Sequence, residues 1–202
     1  KAKAMSKEGP LYVYDLDYND GADRFVMKVD LSKPKGERVV DFSPARTTLK
    51  GDTAKKADKL VASAAGDIWC SSFAANIPAD AKRTSETGQT ATFSFTPLPG
   101  EQKGQAASAY KFLDATAVID KATGGILSYE MAAPKAFKPA PVAKVDRLNL
   151  KVACKPLPDG RTHITSFAFD LKGSAMMKSL DQMETRRITN VKALTASGFG
   201  AP

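Results

Sequence analysis

Three stretches of this chain alternate apolar and polar residues on either side of a tight-turn sequence. That pattern leaves the backbone little choice but antiparallel pairing. In LYVYDLDYNDGADRFVMKVDL, period-two spacing puts Tyr12, Tyr14, Leu16 and Tyr18 on one face. Phe25, Met27, Val29 and Leu31 share a face in the next run, and NDGAD between them has the Asp-Gly chemistry of a tight turn. A second hairpin is expected in AYKFLDATAVIDKATGGILSYEM, with 110–119 pairing with 126–131 across DKATGG. The third is VDRLNLKVACKPLPDGRTHITSFAFDLKG, turned at PDG. Leu148, Leu150, Val152 and Cys154 line one face of its first arm. His163, Thr165, Phe167, Phe169 and Leu171 line one face of its second. Further strands are read over 38–42 and in TATFSFTP, where Ala91, Phe93 and Phe95 alternate with Thr92, Ser94 and Thr96.

Between these strands lie helical signals. GDTAKKADKLVASAAG has good helix formers, with Asp52 or Thr53 as N-cap, Ala57, Leu60, Val61 and Ala64 at helical spacing, and Gly66 as the terminator. A second short helix is expected in IWCSSFAANI, capped by Asp67 and stopped by Pro78, with Trp69 and Phe73 on a shared face. The tail GSAMMKSLDQMETRRITNVKAL reads as a helix carrying Met176, Leu180 and Met183, with Ser174 as cap, followed by a short strand over 188–194. LPGEQKGQAAS reads as a loop, and the Pro-rich AAPKAFKPAPVAK as a connector unable to form a central strand. The sum is about eight strands in successive hairpins with two or three short helices on one side. This is an α+β, mainly β, antiparallel meander without βαβ alternation. No Ser- or Gly-rich linker divides it, so residues 1–202 read as one domain, with 1–9 as a flexible N-terminal tail.

The chain has only two cysteines, Cys70 and Cys154, and each lies on a face expected to be buried. Two readings stand: a pair of buried free thiols, or a disulfide pinning the helical layer to the sheet. Few cysteines, even in number, favour the bridge. Two Cys and one His without ligand spacing exclude a recognisable metal site, and no Cys-x-x-Cys supports redox work.

No catalytic constellation emerges. The single histidine, His163, sits mid-strand, and there is no Gly-x-Ser-x-Gly elbow to pair with it. Asp15 and Asp17 share a strand face opposite the tyrosines, as solvent-facing residues do. GQTATFSF and KATGGILS lack the lysine and spacing of a phosphate loop, and no dinucleotide fingerprint follows a strand. The chain therefore reads as a non-enzyme without cofactors.

A net charge of +8 favours anionic partners such as an envelope surface. The charges are scattered, and the aromatic and Cys/His signatures of nucleic-acid binding are absent, so nucleic acid is not expected. No apolar run reaches membrane-spanning length. The start, KAKAMSKEGP, lacks the apolar core of a signal peptide, as a processed mature form does.

What remains is aromatic surface on a broad sheet. Trp69, Phe93, Phe95, Phe112 and Phe167 are the candidate ligand-binding residues, with Met176, Met177 and Met183 as an adaptable lining for flexible acyl chains. The competing reading makes all of them core. Such a sheet either closes around solid core or stays partly open and leaves a cavity.

The order of parts resembles the LolA-like superfamily of periplasmic lipoprotein carriers. It has an N-terminal hairpin and strand, a helical stretch, the middle hairpin YKFLDATAVIDKATGGILSYEM with its Asp-Lys-x-Thr-Gly turn, and the final hairpin KVACKPLPDGRTHIT. The resemblance implies an unclosed antiparallel barrel with helices as a lid, a periplasmic or secreted location, and a lipid, lipoprotein acyl chain or other amphiphile as ligand. The cysteine pair and the long Pro-rich connector depart from that layout. The alternative is an envelope interaction or scaffold protein with a solid core and a basic docking surface.

Overall fold

The computed structural model describes residues 10–63 and 68–194. The chain forms two compact units, one of Ile68–Thr185 and one of the described parts of Ser6–Asp67 and Arg186–Pro202.

The N-terminal unit contains β1 (Tyr12–Asn19), β2 (Arg24–Asp30), β3 (Val39–Ser43) and the helix α1 (Gly51–Ser63). The expected alternation holds: Tyr12, Tyr14, Leu16, Tyr18, Phe25, Met27, Val29 and Leu31 are all buried. The register places Tyr14 opposite Val29, Leu16 opposite Met27 and Tyr18 opposite Phe25, so one face of the hairpin is continuously apolar. Phe25 extends it to β3 through the ring of Phe42, 5.3 Å away. Burial pushes the Tyr14 hydroxyl up to about 12, although Arg38 and Arg186 pull the other way.

The β1–β2 turn is built by its own side chains. Asn19 accepts from the Gly21 amide at 2.7 Å, and Asp20 accepts from the Ala22 and Asp23 amides at 3.1 and 2.8 Å. Gly21 stands at φ 86°, where a side chain would be strained. The same turn anchors α1. Lys56 donates to Asp20 and Asp23, each at 2.5 Å, and Thr53 donates to Asp23 at 3.0 Å. Thr53 is therefore a tether and does not cap the helix. Burial raises the Asp20 carboxyl, but Lys56 and the turn amides outweigh it and leave it below the usual range. Lys56 is held above its ordinary value by its two carboxylates.

The larger unit opens with a 3₁₀ turn, Cys70–Asn76. It continues through β4 (Lys82–Glu86), β5 (Thr90–Phe95), α2 (Gly104–Ala109), a 3₁₀ turn Tyr110–Phe112, β6 (Asp114–Asp120), β7 (Ile126–Ala132), β8 (Phe137–Ala140), β9 (Ala143–Pro156) and β10 (Thr162–Ala175). The final strand, β11 (Lys178–Ala193), begins in this unit and ends in the other. Ala91, Phe95, Ala115, Ala117, Tyr129, Met131, Leu150 and Val152 form its core. The Cys70–Asn76 turn packs on β7 and β10, and α2 packs on β8.

The fold is α+β, with antiparallel strands bonded in the order β3-β2-β1-β11-β10-β9-β7-β6-β5-β4 and β8 paired to β9 beside that path. β3 and β4 stand at its two ends, so the sheet is not closed into a barrel.

Four local expectations are corrected. Tyr110–Phe112 is a 3₁₀ turn and the strand starts only at Asp114; the preceding segment, read as a loop, contains α2. The Pro-rich connector, as expected, forms no central strand: its short strand β8 lies off the main path. Trp69 is extended, bridges to His163 and precedes the 3₁₀ turn, so it shares no helical face with Phe73. A bulge between Ile164 and Ser166 breaks the alternation of β10. Ile164 there opposes Cys154, while His163 opposes Lys155 and is set off the face of Phe167, Phe169 and Leu171.

The largest correction is the tail, which is one sixteen-residue strand with no helix. Its apolar residues are sparse and only Ile188 is buried, so side-chain burial does not select a helix. The ladder offered by β10 satisfies the backbone instead. Met176, Met177 and Met183 are 75%, 102% and 53% exposed. The strand β4, wholly exposed, was not anticipated. Gly66 and Asp67, expected as helix terminator and cap, lie outside the described residues, as does the 1–9 tail.

Candidate functional site

The sulfurs of Cys70 and Cys154 are bonded, with Cα atoms 6.3 Å apart across 84 positions of sequence. The bridge joins the Cys70–Asn76 turn to β9. Beside it, the backbone at Ile68 and Trp69 docks on β10: the Ile164 amide donates to the Ile68 carbonyl at 2.7 Å, and Trp69 bridges to His163. The Arg161 guanidinium lies 4.1 Å from the centre of the Trp69 ring and is itself held by Asp159 at 2.7 Å. His163 is buried, with Nδ1 3.0 Å from the Ile164 carbonyl; burial pushes its pKa down, and Lys155 adds to the shift.

Within the same unit an open groove of about 770 Å³ runs beside the end strand β4. Phe95 and Ser94 of β5 form its floor, with Lys82 and Thr84 of β4 on one side. Pro97, Leu98 and Pro99 form one wall. Asn76 clamps that wall: its side-chain amide donates to the Leu98 carbonyl at 2.7 Å, and its carbonyl accepts from the Leu98 amide at 2.9 Å. Two prolines and this clamp hold the Leu98 side chain outward, 46% exposed. Ala107 of α2, Tyr110, Lys111, Asp114 and Asp80 also line it. The groove thus combines apolar groups with a few charged groups of both signs.

Behind the floor, Phe95 meets Tyr129 at 6.2 Å between ring centres, and Tyr129 stacks on Phe73 at 4.9 Å. The buried Tyr129 hydroxyl has no hydrogen-bond partner among the described residues. Burial, then the neighbouring Tyr110, pushes its pKa up.

Of the five aromatic candidates, Phe95 lines the groove. Phe93 lies two residues back on β5, half-buried, opposite Ala117 and Arg83. Phe112 stacks on Phe137 at 4.8 Å, next to the groove residue Lys111. Trp69 lies under Arg161, and Phe167 of β10 opposes Val152 of β9. Leu98 and Lys111 were not singled out from sequence. For Leu98 the signal was the flanking Pro97 and Pro99, which keep the segment out of regular secondary structure.

Asp15 and Asp17 are both engaged. Asp15 accepts from Asn190 at 2.6 Å, and Asp17 takes a two-pronged bond from Arg24 at 2.9 and 2.6 Å. Among the described residues no group of three or more His, Cys, Asp or Glu is arranged to hold a metal ion, and no helix is long and apolar enough to cross a membrane.

These features define a disulfide-bonded antiparallel sheet protein with an open, mixed-polarity groove. Comparison of the chain with protein-family models, curated proteins and solved structures finds no match.

Proposed function

We propose that this chain is a non-enzymatic binding or carrier module of the periplasm or another extracytoplasmic space, holding a lipid, a lipoprotein acyl chain or another amphiphile. The groove of about 770 Å³ floored by Phe95 and walled by Leu98 and Tyr110 is the observation that carries the reading. Its volume suits a drug-sized or single-chain ligand, and Lys82 and Lys111, which share its lining with Asp80 and Asp114, are available to pair with an anionic group of that ligand. The disulfide supports an oxidising compartment. A relation to the LolA-like carriers belongs to this proposal and rests on the order of hairpins and helical pieces.

The test is titration with a dansyl-labelled long-chain fatty acid, together with native mass spectrometry of protein extracted without detergent. Saturable binding is expected, weakened about ten-fold or more by Leu98→Asp, which places a charge on the apolar wall. An absence of saturable binding overturns the proposal, as does binding that Leu98→Asp leaves intact. A second reading, an envelope docking protein, is favoured by the Phe73–Tyr129–Phe95 packing that fills the interior behind the groove and by the net charge of +8. Ligand-free protein that captures an anionic partner salt-sensitively would support it.

A further inference from the structure

Two turns meet at one end of the larger unit. The β10–β11 hairpin turns at Met176 and Met177, and the β8–β9 hairpin turns at Pro141 and Val142. They are held together because Ala175 pairs with Ala143 and the Met176 amide donates to the Val142 carbonyl at 2.9 Å. Here the chain exposes Met177 completely, Met176 at 75% and Val142 at 61%.

Neither the turn geometry nor the packing explains methionine at this place. Both central residues have positive φ, 49° and 64°, as a type I′ turn demands. Asn-Gly is the pair such a turn favours, because other side chains carry a steric penalty there. Two large apolar side chains at this tip thus work against the backbone and also against solvation.

The surrounding charge supplies the second argument. The strand ends bearing the tip carry Lys138, Lys144, Lys172 and Lys178 against Asp146 and Asp181. Lys144 pairs with Asp146 at 2.6 Å and Lys172 approaches Asp181 at 3.9 Å. Lys138 and Lys178 are exposed and have no ion-pair partner among the described residues. An apolar tip collared by net positive charge is complementary to one surface in particular: an acyl layer beneath anionic head groups.

We propose that the Met176–Met177 tip, with Val142 beside it, is a docking element for anionic phospholipid membranes. The methionines enter the head-group and acyl boundary, and Lys138 and Lys178 meet the lipid phosphates. Gly173 sets the geometry of the strand leading to the tip. A Cβ there would lie 2.2 Å from the Lys144 carbonyl oxygen, so only glycine lets β10 and β9 approach at the bulge just before the turn. The proposal does not rest on the groove, whose lining includes none of Lys138, Val142, Met176, Met177 and Lys178.

The experiment is co-sedimentation with phosphatidylglycerol/phosphatidylethanolamine vesicles and with phosphatidylcholine vesicles, at low and moderate salt. Wild-type protein is expected to bind the anionic vesicles, more weakly as salt rises, and to bind the neutral ones far less. The paired substitution Met176→Asn with Met177→Gly installs the residues the turn prefers, so the fold is kept and the melting temperature does not fall. Vesicle binding should drop at least about ten-fold. Lys138→Gln and Lys178→Gln should each weaken it about five-fold. Leu98→Asp should leave it unchanged, which separates this proposal from that for the groove. Wild-type protein that ignores anionic vesicles, or an Asn-Gly variant that binds them as well as wild type, overturns the inference; capture of a protein by the tip without vesicle binding does the same.

Discussion

Cys70 and Cys154 are joined by a disulfide that ties a 3₁₀ turn to the strand β9 across 84 positions of chain. Such a closure removes unfolded-state entropy worth about 4–5 kcal/mol. Reduction, or Cys70→Ser with Cys154→Ser, should lower the stability of the larger unit by roughly that amount. Guanidinium unfolding with and without reductant measures it. A change below about 1 kcal/mol would show that the unfolded chain is little constrained by the bridge.

His163 predicts an acid-sensitive component in the same unit. Burial lowers its pKa in the folded state, with Lys155 acting in the same direction, so the unfolded chain binds the proton more readily. Stability from this group is intact above about pH 6.5, the ordinary imidazole value, and is lost as pH falls from there toward the depressed folded value. As the only histidine in the chain, it can be isolated cleanly. His163→Gln should flatten the slope of stability against pH in this window. An unchanged slope would assign the effect to other groups.

Lys56 holds α1 to the β1–β2 turn through Asp20 and Asp23. Lys56→Met keeps the aliphatic stem but leaves two largely shielded carboxylates without their cation. A loss of roughly 1–2 kcal/mol is expected, discounted for the partial exposure of the lysine. The Asp20 carboxyl should also move up toward the ordinary range, visible by carboxyl NMR titration. An Asp20 titration identical to wild type would contradict the assigned contact.

Tyr129 carries a buried hydroxyl without a partner among the described residues. Removing it relieves a desolvated polar group while keeping the ring between Phe73 and Phe95. Tyr129→Phe should therefore be neutral or stabilising, by up to about 1 kcal/mol, where a bonded tyrosine would lose about that much. Thermal unfolding of the pair of proteins decides the sign.

Gly173→Ala should destabilise the β9–β10 pairing by roughly 1–3 kcal/mol, because the added methyl meets a backbone oxygen that cannot rotate away. Hydrogen exchange should show the loss concentrated at 143–147 and 170–175. A melting temperature equal to wild type would mean that the bulge relaxes freely.

Most hairpins were legible because they are written locally. Tyr12 to Tyr18 and Phe25 to Leu31 alternate, NDGAD supplies its own turn acceptors, and DKATGG and PDG do the same for the other two. The cysteine pair was legible as a preference, from number and placement. The groove was not, because it joins Lys82, Phe95, Leu98 and Tyr110 from four separate segments, one of which, at Tyr110, reads as a strand where the fold has a 3₁₀ turn.

By itself, then, the sequence determined antiparallel hairpins, an apolar face for each and the means to staple turn to sheet, since period-two patterning and turn chemistry act over a few residues. Tertiary structure decided the bulge at Thr165, the recruitment of 178–193 as a strand and the walls of the groove. Those depend on which distant backbone offers unpaired amides and carbonyls, and a local pattern of side chains carries no record of that.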